Sequence, residues 1–167
     1  MSTRARIGFQ KADGSIIGAY QHFDGYPGGL GYLLVDHWED SKKTESAIKL
    51  GDASFWRYHE GKKIDFDDRG HPMYEIQNVY YGRDRGEKDV GAKTYKDEKE
   101  YLSKGFNSGE DYIYLLKDVG EQDFLGKPKY TWFYTKYDQT DSLKPLEADA
   151  IKDKIEMLKY HLKIIHW

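Results

Sequence analysis

Residues 4–9 and 16–23 are apolar-rich segments that read as two strands, and between them lies Lys11-Ala12-Asp13-Gly14-Ser15. The Asp-Gly step suits a tight turn with positive φ, so the chain is expected to open with a β-hairpin. Leu30, Leu33, Leu34, His37 and Trp38 then recur at three- and four-residue spacing, which predicts a helix from the preceding glycine run to about Glu39. Asp40 or Ser41 suits the cap of a second short helix carrying Ala47, Ile48 and Leu50, with Gly51 as its left-handed stop.

Residues 51–72 lack any period. Phe55, Trp56 and Tyr58 stand among Lys62, Lys63, Asp65, Asp67, Asp68 and Arg69, and the stretch reads as a long, partly ordered loop. Residues 74–83 regain β-favouring side chains and predict a strand that runs into a polar turn at 82–87. Residues 94–104 predict a helix, with Thr94 and Asp97 at capping-box spacing and Gly105 as its stop. Residues 111–117 and 129–137 have the strongest strand character and are expected to pair antiparallel across a loop at 118–128. Residues 146–165 predict a long helix in which Ile151, Ile155, Leu158, Leu162 and Ile165 step by four, three, four and three. The expected fold is α+β in a single domain spanning 1–167, with a mainly antiparallel sheet of about five strands and about four helices.

Composition narrows the chemistry more than the fold. The chain has 15 Tyr, 7 Phe and 4 Trp, enough rings to build a core from a polar sequence, and this argues against disorder. No apolar run approaches the roughly 18 residues that cross a bilayer, and MSTRARIGFQ has no signal-peptide core, so a soluble protein of the cytoplasm is expected. The absence of cysteine excludes disulfide scaffolds, zinc fingers, iron–sulfur sites and thiol catalysis. A net charge of −3 marks neither a strongly basic nucleic-acid binder nor a polyanion mimic.

Two segments are candidates for ligand binding. In residues 22–31, His22, Asp24, Gly25, Tyr26, Gly28 and Gly29 form a glycine-rich turn feeding a helix, a geometry whose backbone N–H groups can receive phosphate or carboxylate. The same residues also read as a plain strand-to-helix connection, because neither GxxxxGK[ST] nor GxGxxG with a following acid is present. In residues 82–87, Arg83 and Arg85 can clamp an anion with Asp84 orienting one guanidinium, or form a charge-balanced surface turn. His22, His37, His59, His71, His161 and His166 show no paired-ligand spacing, and no Gly-x-Ser-x-Gly elbow is present. No metal or cofactor is expected. Tyr130, Trp132 and Tyr134 share a strand face and suit either base stacking or packing against the terminal helix, packing being the commoner use.

Five segments together carry a resemblance: Ser2 to Gly8 (STRARIG), Asp13-Gly14, residues 20–27 (YQHFDGYP), Leu50-Gly51-Asp52 and residues 81–87 (YGRDRGE). In this order, over residues 1–117, the chain resembles a family of small proteins encoded by bacteriophages and prophages. The resemblance implies a setting more than a reaction: an accessory protein that disables a host defence, by occupying a protein surface or by sequestering a signalling nucleotide. It also implies that the two candidate segments share a site. Gly82 stands where many relatives have His, which removes one possible acid or base. The expected partner is therefore a host defence protein or an anionic nucleotide-like small molecule, and a homo-oligomer is open. An enzyme acting on a phosphorylated small molecule, with His22 as acid or base and Asp24 orienting it, is the second reading. A virion or assembly component, with the terminal helix making oligomer contacts, is the third.

Overall fold

The computed structural model describes residues 2–139 and 142–165; His166 lies outside them. The opening hairpin forms as expected. Strands β1 (Ala5–Gln10) and β2 (Ile16–Gln21) pair antiparallel with Gly8 opposite Gly18, and Gly14 takes φ of 87° in the turn. The glycine run becomes a π-helical turn (Pro27–Gly31) that continues into α1 (Tyr32–His37). Helix α2 (Ser41–Lys49) is capped by the Asp40 side chain, which accepts from the Lys43 N–H. Strands β3 (Ala53–Phe55) and β4 (Val79–Tyr80) follow, with α3 (Tyr81–Arg85), β5 (Lys93–Tyr95), α4 (Glu98–Asn107), β6 (Tyr112–Gln122), β7 (Pro128–Lys136), β8 (Lys144–Pro145) and α5 (Glu147–Ile165).

These strands form one sheet ordered β4-β3-β2-β1-β6-β7-β8, with β5 also paired to β2. The α+β class stands, and the expected β6–β7 hairpin forms in antiparallel register with Tyr114 opposite Tyr134. The sheet is mixed, because β1–β6 and β2–β3 run parallel. Among the described residues it has eight strands rather than about five, and there are five α-helices rather than about four. The additional strands β3, β4, β5 and β8 hold two or three residues each, too short to leave a period in the sequence.

Four expectations are corrected. Residues 74–83 do not form a strand: only Val79 and Tyr80 pair, and Tyr81 already begins α3. Gln77 and Asn78 are buried because their side chains bind loop backbone. Gln77 Nε2 donates to the Lys62 carbonyl, and Asn78 Oδ1 accepts from the Arg57 N–H. Residues 82–87 are not an open turn, since α3 is closed by Gly86 at φ of 74°. Thr94 does not cap a helix, because it pairs with Ile17 in the sheet; Asp97 caps α4 by accepting from the Glu100 N–H. Nor does Gly105 stop that helix. It lies inside α4, where an added Cβ would sit 2.5 Å from Ile113 Cδ1, so its smallness lets α4 approach β6.

Alternation along the strands divides the side chains between two layers. On one face Ile7, Phe9, Tyr114, Leu116, Trp132 and Tyr134 pack with Leu30, Leu34, Trp38 and Ala150 from the helices. Tyr134 donates to Asp149 of α5 and Trp132 Nε1 donates to the Trp38 carbonyl, so the aromatic row on β7 is packing. On the other face Ile16, Ile113 and Leu115 are covered by Tyr95 and by Tyr101 of α4. Toward the end where β1 begins and β2 ends this second face is open, and Arg4 and His22 lie there.

Candidate functional site

The register of the first hairpin creates the site. Arg6 lies opposite Tyr20, so continuing the same register places Arg4 beside His22 on the same face. The Tyr20 hydroxyl meets His22 Nδ1, and the imidazole packs edge-on against Phe23 with ring centroids 4.4 Å apart. The orienting partner of His22 is thus Tyr20, not Asp24. Asp24 is exposed at φ of 58°, where its carbonyl accepts from the Leu30 N–H to close the turn.

Burial, and then the charge of Arg4, push the His22 imidazole below its ordinary pKa. Burial chiefly pushes the Tyr20 hydroxyl up to about 12. At neutral pH the pair is therefore an uncharged imidazole against a protonated phenol. Deeper on the same face Arg6 and Glu110 form a buried ion pair with Nη2–Oε1 of 2.5 Å, and Arg6 Nη1 donates to the Tyr95 hydroxyl. Burial raises the Glu110 pKa against the opposing pull of Arg6. This pair anchors β1 to the start of β6 below the site.

His22 lines a cleft of about 490 Å³ together with Ser2, Thr3, Arg4, Asp111, Tyr112, Lys136 and Tyr137. The size is in the range of small-molecule sites, about 300–1,000 Å³. Among the described residues the Arg4 guanidinium enters no ion pair, whereas the backbone N–H of Arg4 is held by Asp111 Oδ2 at 2.9 Å. A larger hollow of about 690 Å³ runs along α4, but Leu102, Phe106 and Leu143 line it beside Glu98 and Lys99 without a comparable convergence of cations.

The other expected site residues are not part of this cleft. Arg83 is consumed internally: Nε donates to Asp84 Oδ1 at 2.9 Å, Nη1 to the Glu60 carbonyl and Nη2 to the Asn78 carbonyl. Asp84 is buried and also accepts from the N–H groups of Ile64 and Tyr80, tying the long loop to β4. Arg85 pairs with Glu87 and lies over the rings of Phe66 and Tyr81. The clamp expected from Arg83 and Arg85 is therefore a brace for the 51–78 loop.

The glycine turn is occupied by the chain itself. The Gly28 N–H donates to Asp153 Oδ2 of α5 at 2.6 Å, so the anion on the turn is an internal carboxylate. Gly25 is buried, its N–H bonded to the Thr3 carbonyl, and an added Cβ would lie 2.7 Å from that oxygen. Tyr26 starts the π-helical turn without a side-chain cap, and Gly29 packs on its ring. Asp24, Tyr26, Gly28 and Gly29 line a crevice of about 180 Å³ under Lys154 and Met157, below the usual size for a ligand. The two motifs meet only through the sheet. Asp52 accepts the Tyr20 N–H on its side chain and the Tyr81 N–H on its carbonyl.

Sequence reasoning retained His22 and missed Arg4, Lys136 and Tyr137. Arg4 was accessible in principle, since the turn at Asp13-Gly14 fixes its register against His22. Lys136 and Tyr137 arrive through the parallel β1–β6 pairing, which has no local signal. Comparison with protein-family models, with curated proteins and with solved structures finds no match to this chain.

Proposed function

We propose that this protein acts by binding a small phosphate- or carboxylate-bearing ligand in the Arg4–His22 cleft, and that its biological role is to sequester a signalling nucleotide used by a bacterial defence. The single observation that carries the reading is a cleft in which the Arg4 guanidinium, in no ion pair among the described residues, stands beside an uncharged imidazole, with Lys136 on the rim paired to Asp138 at 3.7 Å. An anion in the cleft selects the tautomer in which the Tyr20 hydroxyl donates to Nδ1 and the ring proton sits on Nε2, so that His22 acts as a hydrogen-bond donor to the ligand. The hydroxyls of Ser2, Thr3 and Tyr137 extend the donor set. Such a lining favours an anion. Asp111 sets the orientation of β1 through its bond to the Arg4 N–H and leaves the Arg4 guanidinium to the ligand. The setting in a phage accessory protein comes from the resemblance of residues 1–117 and from nothing in the cleft.

Native mass spectrometry of the protein purified from bacterial lysate, with a denatured sample beside it, tests the reading. A non-covalent small-molecule adduct that disappears in Arg4→Ala and weakens in His22→Ala is expected. A co-purifying polypeptide without an adduct would replace it with inhibition by protein contact.

A further inference from the structure

Helix α5 carries two stripes, and only one is used by the body of the protein. Leu146, Ala150, Asp153 and Met157 recur at four, three and four residues and face inward. Leu146 and Ala150 are fully buried, while Asp153 and Met157 contact Gly28. The second stripe is the one apparent in the sequence, and it faces away. Ile151, Ile155, Leu158, Leu162 and Ile165 are 40%, 47%, 52%, 54% and 73% exposed. Such a row of large aliphatic side chains loses solvent contact only by acquiring a partner.

The spacing specifies the shape of that partner. With Ala148, Ile155 and Leu162 at position a and Ile151, Leu158 and Ile165 at position d, the stripe keeps a strict seven-residue repeat. This gives a seam of the shape that receives another helix, widened at its C-terminal end by the exposed Tyr160 and Ile164. Its charge specifies the chemistry. Lys152 and Lys159 occupy the flanking e positions, Lys154 and His161 two of the g positions, and only Glu147 at the helix start is acidic. Lys154 leans over the Tyr32 ring with Nζ 5.5 Å from its centroid, while Lys152 and Lys159 are exposed.

A second copy of the chain is the less complementary occupant. Antiparallel pairing sets Lys152 and Lys159 against the same residues of the other copy, and parallel pairing offsets one attractive contact, Glu147 with Lys152, by setting Lys154 against Lys159. An anionic membrane is also disfavoured, because the four lysines of α5 balance its four acidic side chains and the rest of the protein carries the net −3. We infer that the outward face of α5 docks an amphipathic helix of a partner protein whose apolar seam is flanked by Asp or Glu. This surface is separate from the Arg4–His22 cleft and stands independently of its ligand.

The experiment uses the full chain and two synthetic three-heptad peptides with Leu at a and d, one with Glu and one with Lys at e and g. Fluorescence anisotropy is expected to show binding of the Glu peptide that weakens with salt, and no binding of the Lys peptide. Leu158→Asp, and separately Lys152→Glu with Lys159→Glu, should each weaken it by about tenfold or more. All three positions are exposed, and circular dichroism is used to check that the variants remain folded. Failure to bind the Glu peptide, or equal binding of both, overturns the inference. So does a concentration-dependent dimer in sedimentation that Leu158→Asp abolishes, or binding to phosphatidylglycerol vesicles without binding to the peptide.

Discussion

Asp153 of the terminal helix accepts the backbone N–H of Gly28, 2.6 Å away and 125 residues earlier in the chain. The contact explains the glycine: a Cβ there would lie 2.7 Å from that carboxylate oxygen, 2.8 Å from Met157 Sδ and 3.0 Å from the Asp153 carbonyl carbon. Gly28→Ala should therefore lift α5 off the turn, and Asp153→Ala should leave a partly buried N–H unpaired at a cost of about 1–3 kcal/mol. Asp153→Asn keeps an acceptor and should cost less than either. Urea unfolding ranks the three, and hydrogen exchange along α5 shows whether the helix has come loose.

Arg83 and Asp84 make a different kind of claim, because the sequence presents them as ligand groups and their geometry is that of a brace. The Arg83 side chain is 14% exposed and that of Asp84 is fully buried. Removing one partner strands the other, so Arg83→Met and Asp84→Ala should each cost about 3 kcal/mol. A denaturation midpoint unchanged from wild type would return Arg83 to the list of ligand-binding groups.

The proton on His22 reports the cleft. Its folded pKa is depressed by burial and by Arg4, so the stability it contributes is present above its ordinary value and is lost as pH falls through the folded one. As pH falls below the ordinary histidine value the wild type should lose stability relative to His22→Gln. Arg4→Ala should move the His22 titration midpoint upward, as read by NMR of the ring nitrogens. An unmoved midpoint would separate the two residues.

Tyr101 seals the covered part of the second sheet face by lying across Gly8 and Gly18. A Cβ on Gly8 would be 2.6 Å from the tyrosine Cζ and hydroxyl, and on Gly18 2.8 Å from Cε1. The hydroxyl donates to the Tyr114 carbonyl at 2.8 Å, which fixes the ring in place. Gly8→Ala should cost about 1–3 kcal/mol by overpacking, measured as a fall in the thermal midpoint.

Local chemistry determined the opening hairpin, α2 with its Asp40 cap, the β6–β7 hairpin and the extent of α5, because turn residues, caps and periods act over a few positions. The same chemistry misread residues 74–87, where Gln77, Asn78 and Asp84 are buried to satisfy distant backbone, and burial of that kind leaves no period. The sequence also marked both stripes of segments that could bind something, the glycine run and the apolar face of α5, without saying which would be left free. Only the tertiary structure decided that. Docking α5 through Asp153 and Met157 fills the glycine turn and rotates the aliphatic seam outward, and parallel pairing of β1 with β6 brings Asp111 and Tyr137 to the side of Arg4 and His22. Both outcomes depend on contacts between segments more than a hundred residues apart, which no local pattern encodes.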